Sequence, residues 1–204
     1  MTNFDQRAKD WDSDPQKAER ARAVAQAIRQ AIPLTRQMSA LEYGCGTGLL
    51  SFALQADLGN IALADSSTGM LAALAEKIRA AGISHMQPLR LDLAADPLPA
   101  QRYDVLYSLM TLHHIPNTAE ILSKFHALLR PNGYLLIADL DKEDGSFHAK
   151  GAEEVHHGFA RASLQAQVEA AGFRGVKFAV AYEIKKKIGA EEKTFPVFLL
   201  SAQA

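Results

Sequence analysis

The sequence predicts an α/β fold, a doubly wound and mostly parallel sheet with helices on both faces, and three observations carry that expectation. Short apolar runs alternate with amphipathic segments along most of the chain. Several runs, such as Val105-Leu106-Tyr107-Ser108-Leu109 and Tyr134-Leu135-Leu136-Ile137-Ala138, are apolar on both sides, as strands of a covered parallel sheet are. Between the first run and the next amphipathic segment lies Gly44-Cys45-Gly46-Thr47-Gly48, three glycines in five positions.

Taken in order, residues 15–32 carry Ala21, Val24, Ile28 and Ile32 at spacings of three or four, one apolar helix face with Pro15 in its first turn. Pro33 ends that helix. A strand is expected at 40–43, a helix at 49–55, a strand at 60–64 and a helix at 68–81, stopped by Gly82. Strands follow at 86–91, 105–109 and 134–138, with a Pro-containing loop at 95–102 and a helix at 118–129 closed by Pro131-Asn132-Gly133. A last helix spans 159–171. Two β-rich runs at 173–184 and 194–201, joined near Gly189, are linked too briefly for anything but an antiparallel pair, and Pro196 falls at the start of the second. The expected organisation is a helical N-terminal extension, 1–33, followed by one domain, 34–204.

Composition narrows the function. The chain has 204 residues, 48% hydrophobic and 22% charged, enough to bury a sizeable core. Its formal net charge of −1 gives no general attraction to nucleic acid or anionic lipid. The single Cys45 allows no internal disulfide, the N-terminal stretch has no apolar signal core, and no apolar run reaches bilayer length, so a cytoplasmic protein is expected.

In such sheets a ligand binds beyond the carboxyl ends of the strands, beside the first strand, where glycines permit positive φ and close approach to the main chain. The spacing Gly44-x-Gly46-x-Gly48 departs from the dinucleotide pattern, whose third glycine would fall at Leu49. Asp65 closes the second strand, where a carboxylate can accept from a ribose diol, and Asp92 closes the third, within reach of an adenine amino group. The alternative for both aspartates is a local cap.

The ordered set LEYGCGTG, LADSS, LRLDL and YDVLYSLMTLHHI resembles the class I S-adenosylmethionine-dependent methyltransferases, most strongly over residues 39–133. The resemblance implies a seven-stranded sheet ordered 3-2-1-4-5-7-6 with strand 7 antiparallel, and S-adenosyl-L-methionine across the ends of strands 1 to 4. It implies that Glu42, Gly44, Gly46 and Gly48 hold the methionine part, with Tyr43 alongside. Asp65, with Ser66, would hold the ribose, Met70 would pack on the adenine, and Asp92 and Leu93 would meet its amino edge. Ser108 and Leu109 would sit beside the sulfonium.

Ser108-Leu109-Met110-Thr111 lacks the Asn/Asp-Pro-Pro-Tyr/Phe motif of enzymes that methylate amide and exocyclic nitrogens, which points to a small-molecule acceptor. His113 is expected to line the site, and His114 is read as a turn residue. Phe147, His148, His156, His157 and Phe159 follow strand 5 and are acceptor-pocket candidates, His157 being the preferred catalytic base. The alternative for each, and the plainer reading, is a polar loop or helix-start position, and no metal motif is present. Phe4, Trp11 and Asp12 resemble the family's aromatic lead-in, a lid over the cofactor or a plain anchor. A nicotinamide-dependent oxidoreductase and a non-catalytic S-adenosylmethionine-binding protein are the competing functions. Oligomeric state is not legible.

Overall fold

A computed structural model describes residues 5–6, 8–148 and 156–204; Phe4 lies outside them. Seven strands form one sheet ordered β3-β2-β1-β4-β5-β7-β6, from β1 Ala40–Tyr43, β2 Ile61–Asp65, β3 Met86–Arg90, β4 Tyr103–Leu109, β5 Leu129–Leu140, β6 Arg174–Ile188 and β7 Glu191–Gln203. The first five run parallel, while β7 is antiparallel to both β5 and β6.

Alternation along each strand sends successive side chains to opposite faces. Ala40, Val105, Tyr107 and Leu136 therefore pack with α1 Pro15–Ala31, α2 Leu49–Leu54 and α3 Thr68–Ala80. Leu41, Tyr43, Leu106 and Leu135 pack on the other side with α4 Thr118–Leu128 and α5 Arg161–Ala170. Helix α1 starts where Asp14 accepts from the Gln16 amide at 3.0 Å, with Pro15 in its first turn, and buries Ala21, Val24, Ala25 and Ile28. The predicted face is the one buried.

Several boundaries differ from the sequence expectation; the largest change is that β5 runs Leu129–Leu140 rather than 134–138, so Pro131-Asn132-Gly133, expected as a turn, lies inside the strand. Helix α5 begins at Arg161 because Phe159 instead forms a parallel bridge with Asp141. The final hairpin extends through Lys185-Lys186-Lys187, where Lys187 faces Glu192 and Lys185 faces Thr194 across the pair while Lys186 faces Lys193, so the edge strand carries one opposite-charge and one like-charge pair. Pro196 lies within β7 rather than at its start. It pairs with Glu183 on β6, and its carbonyl accepts from the Asp141 amide at 3.0 Å just past the last β5 partner, Val197, so the donor it lacks falls where the β5 ladder ends. Among the described residues no helix is long and apolar enough to cross a membrane.

Candidate functional site

The glycine turn leaves β1 and enters α2. Gly44 and Cys45 both donate to the Ala64 carbonyl, at 2.8 and 3.0 Å, tying the turn to β2. Gly44 has φ +69, and a Cβ there would stand 2.2 Å from Thr111 Cγ2, so neither its backbone angle nor its surroundings admit a side chain. Gly46, with φ +52, is different: among the described residues a Cβ would meet Trp11 Nε1 at 3.8 Å and Met70 Sδ at 3.9 Å. The turn thus presents open main chain beneath Trp11 and Met70.

Asp65 sits at the end of β2 with one oxygen on the Gly46 amide (2.7 Å) and the other on the Ser67 amide (2.8 Å). Burial pushes its proton affinity up, and these amides push it back down. Ser66 is exposed beside it, and Met70 is buried in the first turn of α3. At the end of β3, Asp92 accepts from the Ala94 amide at 2.9 Å, a local turn bond of the kind the capping alternative describes. The Leu93 amide donates to the Tyr43 hydroxyl (3.1 Å) and its carbonyl accepts from Lys124 Nζ (2.6 Å), so both main-chain groups of Leu93 are engaged.

Glu42 and Tyr43, adjacent in sequence, face opposite sides of the sheet. Tyr43 packs edge-on against Phe125, and burial raises its hydroxyl pKa to about 12. Glu42 is buried against α2, where its carboxyl accepts from both the amide and the hydroxyl of Ser51, and Ser51 Oγ contacts the Tyr107 hydroxyl at 2.6 Å. Burial raises the Glu42 pKa to about 8, against the pull of the Ser51 hydrogen bonds.

Near the end of β4, Ser108 Oγ is buried and has no partner among the described residues. Leu109 offers its carbonyl to Thr111 Oγ1 (3.2 Å), and Met110 takes the rare φ of +55 for a non-glycine residue. This kink turns His113 inward. His113 is 1% exposed, its Nδ1 lies 2.6 Å from Asp139 Oδ1, and its amide donates to Asp139 Oδ2 at 3.2 Å. Asp139, wholly buried, is the partner the sequence reading missed; its only signal was a carboxylate ending an otherwise apolar strand.

The His113 ring is 4.1 Å from His114 and 5.1 Å from His148, centroid to centroid. His148 Nε2 is buried without a partner among the described residues, and burial, then His113 and Lys186, lower its proton affinity. Phe147 packs edge-on against both His148 and Phe195. The His156 amide donates to the His113 carbonyl at 2.8 Å, and its ring stacks near Phe159. These residues gather at the ends of β4 and β5. His157 is set apart: its side chain is 60% exposed, with Nδ1 3.5 Å from Glu143 Oε1. Among the described residues no group of three metal-binding side chains converges.

The segment before α1, Ala8–Ser13, is a 3-10 helix laid along the turn. Asp12 accepts from Thr47 Oγ1 (2.5 Å) and Lys77 Nζ (2.5 Å), while Asp5 accepts from Ser67 Oγ (2.6 Å) and the Gly69 amide (2.9 Å).

With this geometry in place, a family profile described as "Methyltransferase domain" matches residues 17–177. The chain belongs to this family. It is a class I S-adenosylmethionine-dependent methyltransferase domain by sequence motifs, strand order and profile together. An uncharacterized methyltransferase of Schizosaccharomyces pombe is 32% identical over 142 residues, which cover 62% of this chain and 50% of that protein. A ubiquinone biosynthesis O-methyltransferase of Marinobacter nauticus is 31% identical over 116 residues, 53% of this chain and 46% of that protein. The methyltransferase domain thus spans about half the length of these curated relatives. A solved SAM-dependent methyltransferase of Aquifex aeolicus superposes with a TM-score of 0.66 at 22% identity, covering 93% of this chain and 98% of that one, a likeness of fold.

Proposed function

We propose that this methyltransferase domain moves the methyl group of S-adenosyl-L-methionine to a small-molecule acceptor, with residues 44–48, Asp65 and Asp92 holding the cofactor and His113 serving the acceptor. The observation that carries the reading is the buried His113–Asp139 pair, 2.6 Å apart, at the strand ends beside the glycine turn. The donor set suits the cofactor: open main chain at Gly46, a carboxylate at the end of β2, and the unpartnered Ser108 hydroxyl at the end of β4. The cofactor supplies an activated methyl group whose departure leaves a neutral thioether.

The chain's own contributions follow from its geometry. Asp139 accepts from Nδ1–H of His113, which fixes the tautomer and leaves Nε2 as the nitrogen able to take a proton from a hydroxyl or amine acceptor. Trp11 and the Asp5 and Asp12 contacts fasten the segment before α1 over the turn, an arrangement suited to excluding water as a lid. Phe147, His148, His156 and Phe159 form the wall nearest the acceptor. His157 is the second candidate base, paired with Glu143 but facing solvent.

The relatives include proteins named for ubiquinone O-methylation and sterol 4-C-methylation, which supports a small acceptor. The test is turnover by His113→Gln and His157→Gln with an acceptor that must lose a proton. A loss of about 10²–10⁴ in kcat for H113Q, with S-adenosylhomocysteine binding intact, supports the assignment. Full turnover by H113Q removes His113 from the mechanism.

A further inference from the structure

Strand β5 ends at Leu140, opposite Val197, so residues 191–196 of β7 pair with β6 alone and the hairpin runs on past the carboxyl ends of the parallel strands. A two-stranded ribbon is marginal by itself in water. Along this one Lys186 stands opposite Lys193, and alternation puts both on the face that buries Ile184 and Phe195. Like charges set directly opposite one another disfavour the pairing. Both ammonium groups are used away from the ladder, on the segment that leaves β5.

Lys193 Nζ donates to Asp144 Oδ2 (2.7 Å) and Ser146 Oγ (3.1 Å). Lys186 Nζ donates to the Phe147 carbonyl and lies 4.7 Å from the centre of the Phe147 ring. The Phe147 amide in turn donates to Glu143 Oε2 (3.1 Å), and its ring packs edge-on against Phe195 with centroids 5.2 Å apart. Asp144 Oδ1 accepts from the amide and the hydroxyl of Ser146, closing a tight turn around Gly145 at φ +85. Amide, carbonyl and ring of Phe147 are thus all held, and the last two are held by the hairpin. His148 follows, its ring 4.9 Å from that of Phe147 and 5.1 Å from that of His113. A continuous series of contacts therefore runs from two lysines of the hairpin to the His113–Asp139 pair.

We propose that Lys186 and Lys193 are positioning residues for methyl transfer, clamping residues 144–147 so that Phe147 and His148 stand against His113 as the acceptor wall. This rests on the methyl-transfer reading above. The side chains of Lys193 and Asp144 are 34% and 64% exposed, and ion pairs of that kind contribute little to global stability. The clamp acts on placement instead, and a displacement of about 1 Å at a reacting centre is enough to slow transfer.

The test compares Lys186→Met and Lys193→Met with Lys187→Met, which removes the same charge from the opposite face of the ribbon. In the first arm, deuterium exchange of the whole protein is followed by mass spectrometry. The amides of Ser146 and Phe147 should exchange about 10-fold faster in both clamp variants, with thermal midpoints unchanged and Lys187→Met like wild type. Unchanged exchange over residues 144–147, or faster exchange that accompanies a lowered midpoint, overturns the proposal.

The second arm follows a labelled methyl group from S-adenosylmethionine into a small-molecule extract, and the precursor of the labelled product is then used for kinetics. Each clamp variant should lose about 10-fold in kcat/KM for that precursor at unchanged S-adenosylhomocysteine affinity, and Lys193→Arg should recover most of the loss. Equal kcat/KM in wild type and the clamp variants, or the same loss in Lys187→Met, overturns the proposal. A wild-type protein that binds no S-adenosylhomocysteine, or labels nothing, is a different outcome: it sinks the methyl-transfer reading whatever the exchange shows.

Discussion

Replacing Glu42 by glutamine isolates one buried proton. In the folded protein Glu42 keeps its proton up to about pH 8, because its carboxyl is buried between β1 and α2, whereas the unfolded chain releases it near 4.5. The folded state therefore holds one more proton than the unfolded state between those two values. Stability from this group is fully present below pH 4.5, falls as pH rises, and is gone above about 8. The span is equivalent to about 5 kcal/mol, at about 1.4 kcal/mol per pH unit, an upper figure because the buried site can relax. Glutamine keeps the acceptor for Ser51 and cannot ionise. Urea unfolding of both proteins from pH 4.5 to 9 should give similar stabilities at the acid end, with the Glu42→Gln variant several kcal/mol more stable than wild type at the alkaline end. Other titrating groups act equally on both and cancel in the difference. Parallel stability curves would refute the burial argument, since they would mean that Glu42 ionises in the folded protein as readily as in the unfolded chain.

Other outcomes follow from the same geometry. Asp65→Ala should weaken S-adenosylhomocysteine binding by about 1–3 kcal/mol in calorimetry, and unchanged affinity would remove the ribose assignment. Gly44→Ala sets a Cβ against Thr111 at 2.2 Å in a left-handed conformation, so the thermal midpoint should drop by an amount equivalent to about 1–3 kcal/mol. Asp139→Asn should leave S-adenosylhomocysteine affinity intact while lowering kcat and shifting its pH profile, because the amide can present its N–H to Nδ1 and favour the wrong tautomer of His113; an unaltered profile would make the pair purely structural. Trp11→Ala should speed S-adenosylhomocysteine release in stopped-flow measurements several-fold if the N-terminal extension covers the site, and an unchanged off-rate would leave Trp11 as an anchor.

The parallel half of the fold was legible because several of its strands, β2 and β4 among them, are largely apolar runs alternating with amphipathic helices, and the turn at residues 44–48 announced the crevice. The full length of the hairpin was not, because Lys185 to Lys187 read as a solvated strand end, and the pairing of Lys187 with Glu192 that carries the ladder on to Ile188 and Glu191 is not marked locally. Phe159 suggested a helix start, but its place opposite Asp141 is a tertiary choice. In the candidate site, single residues at strand ends could be named from sequence, whereas pairings between distant residues could not. His113 and Asp139 are 26 positions apart, and nothing local to either marks the other.

The most direct measurement is titration calorimetry of the wild-type protein with S-adenosylhomocysteine and, separately, with NAD. The account predicts one saturable S-adenosylhomocysteine site per chain that Asp65→Ala weakens, and no NAD binding. Saturable NAD binding with no heat from S-adenosylhomocysteine would contradict it.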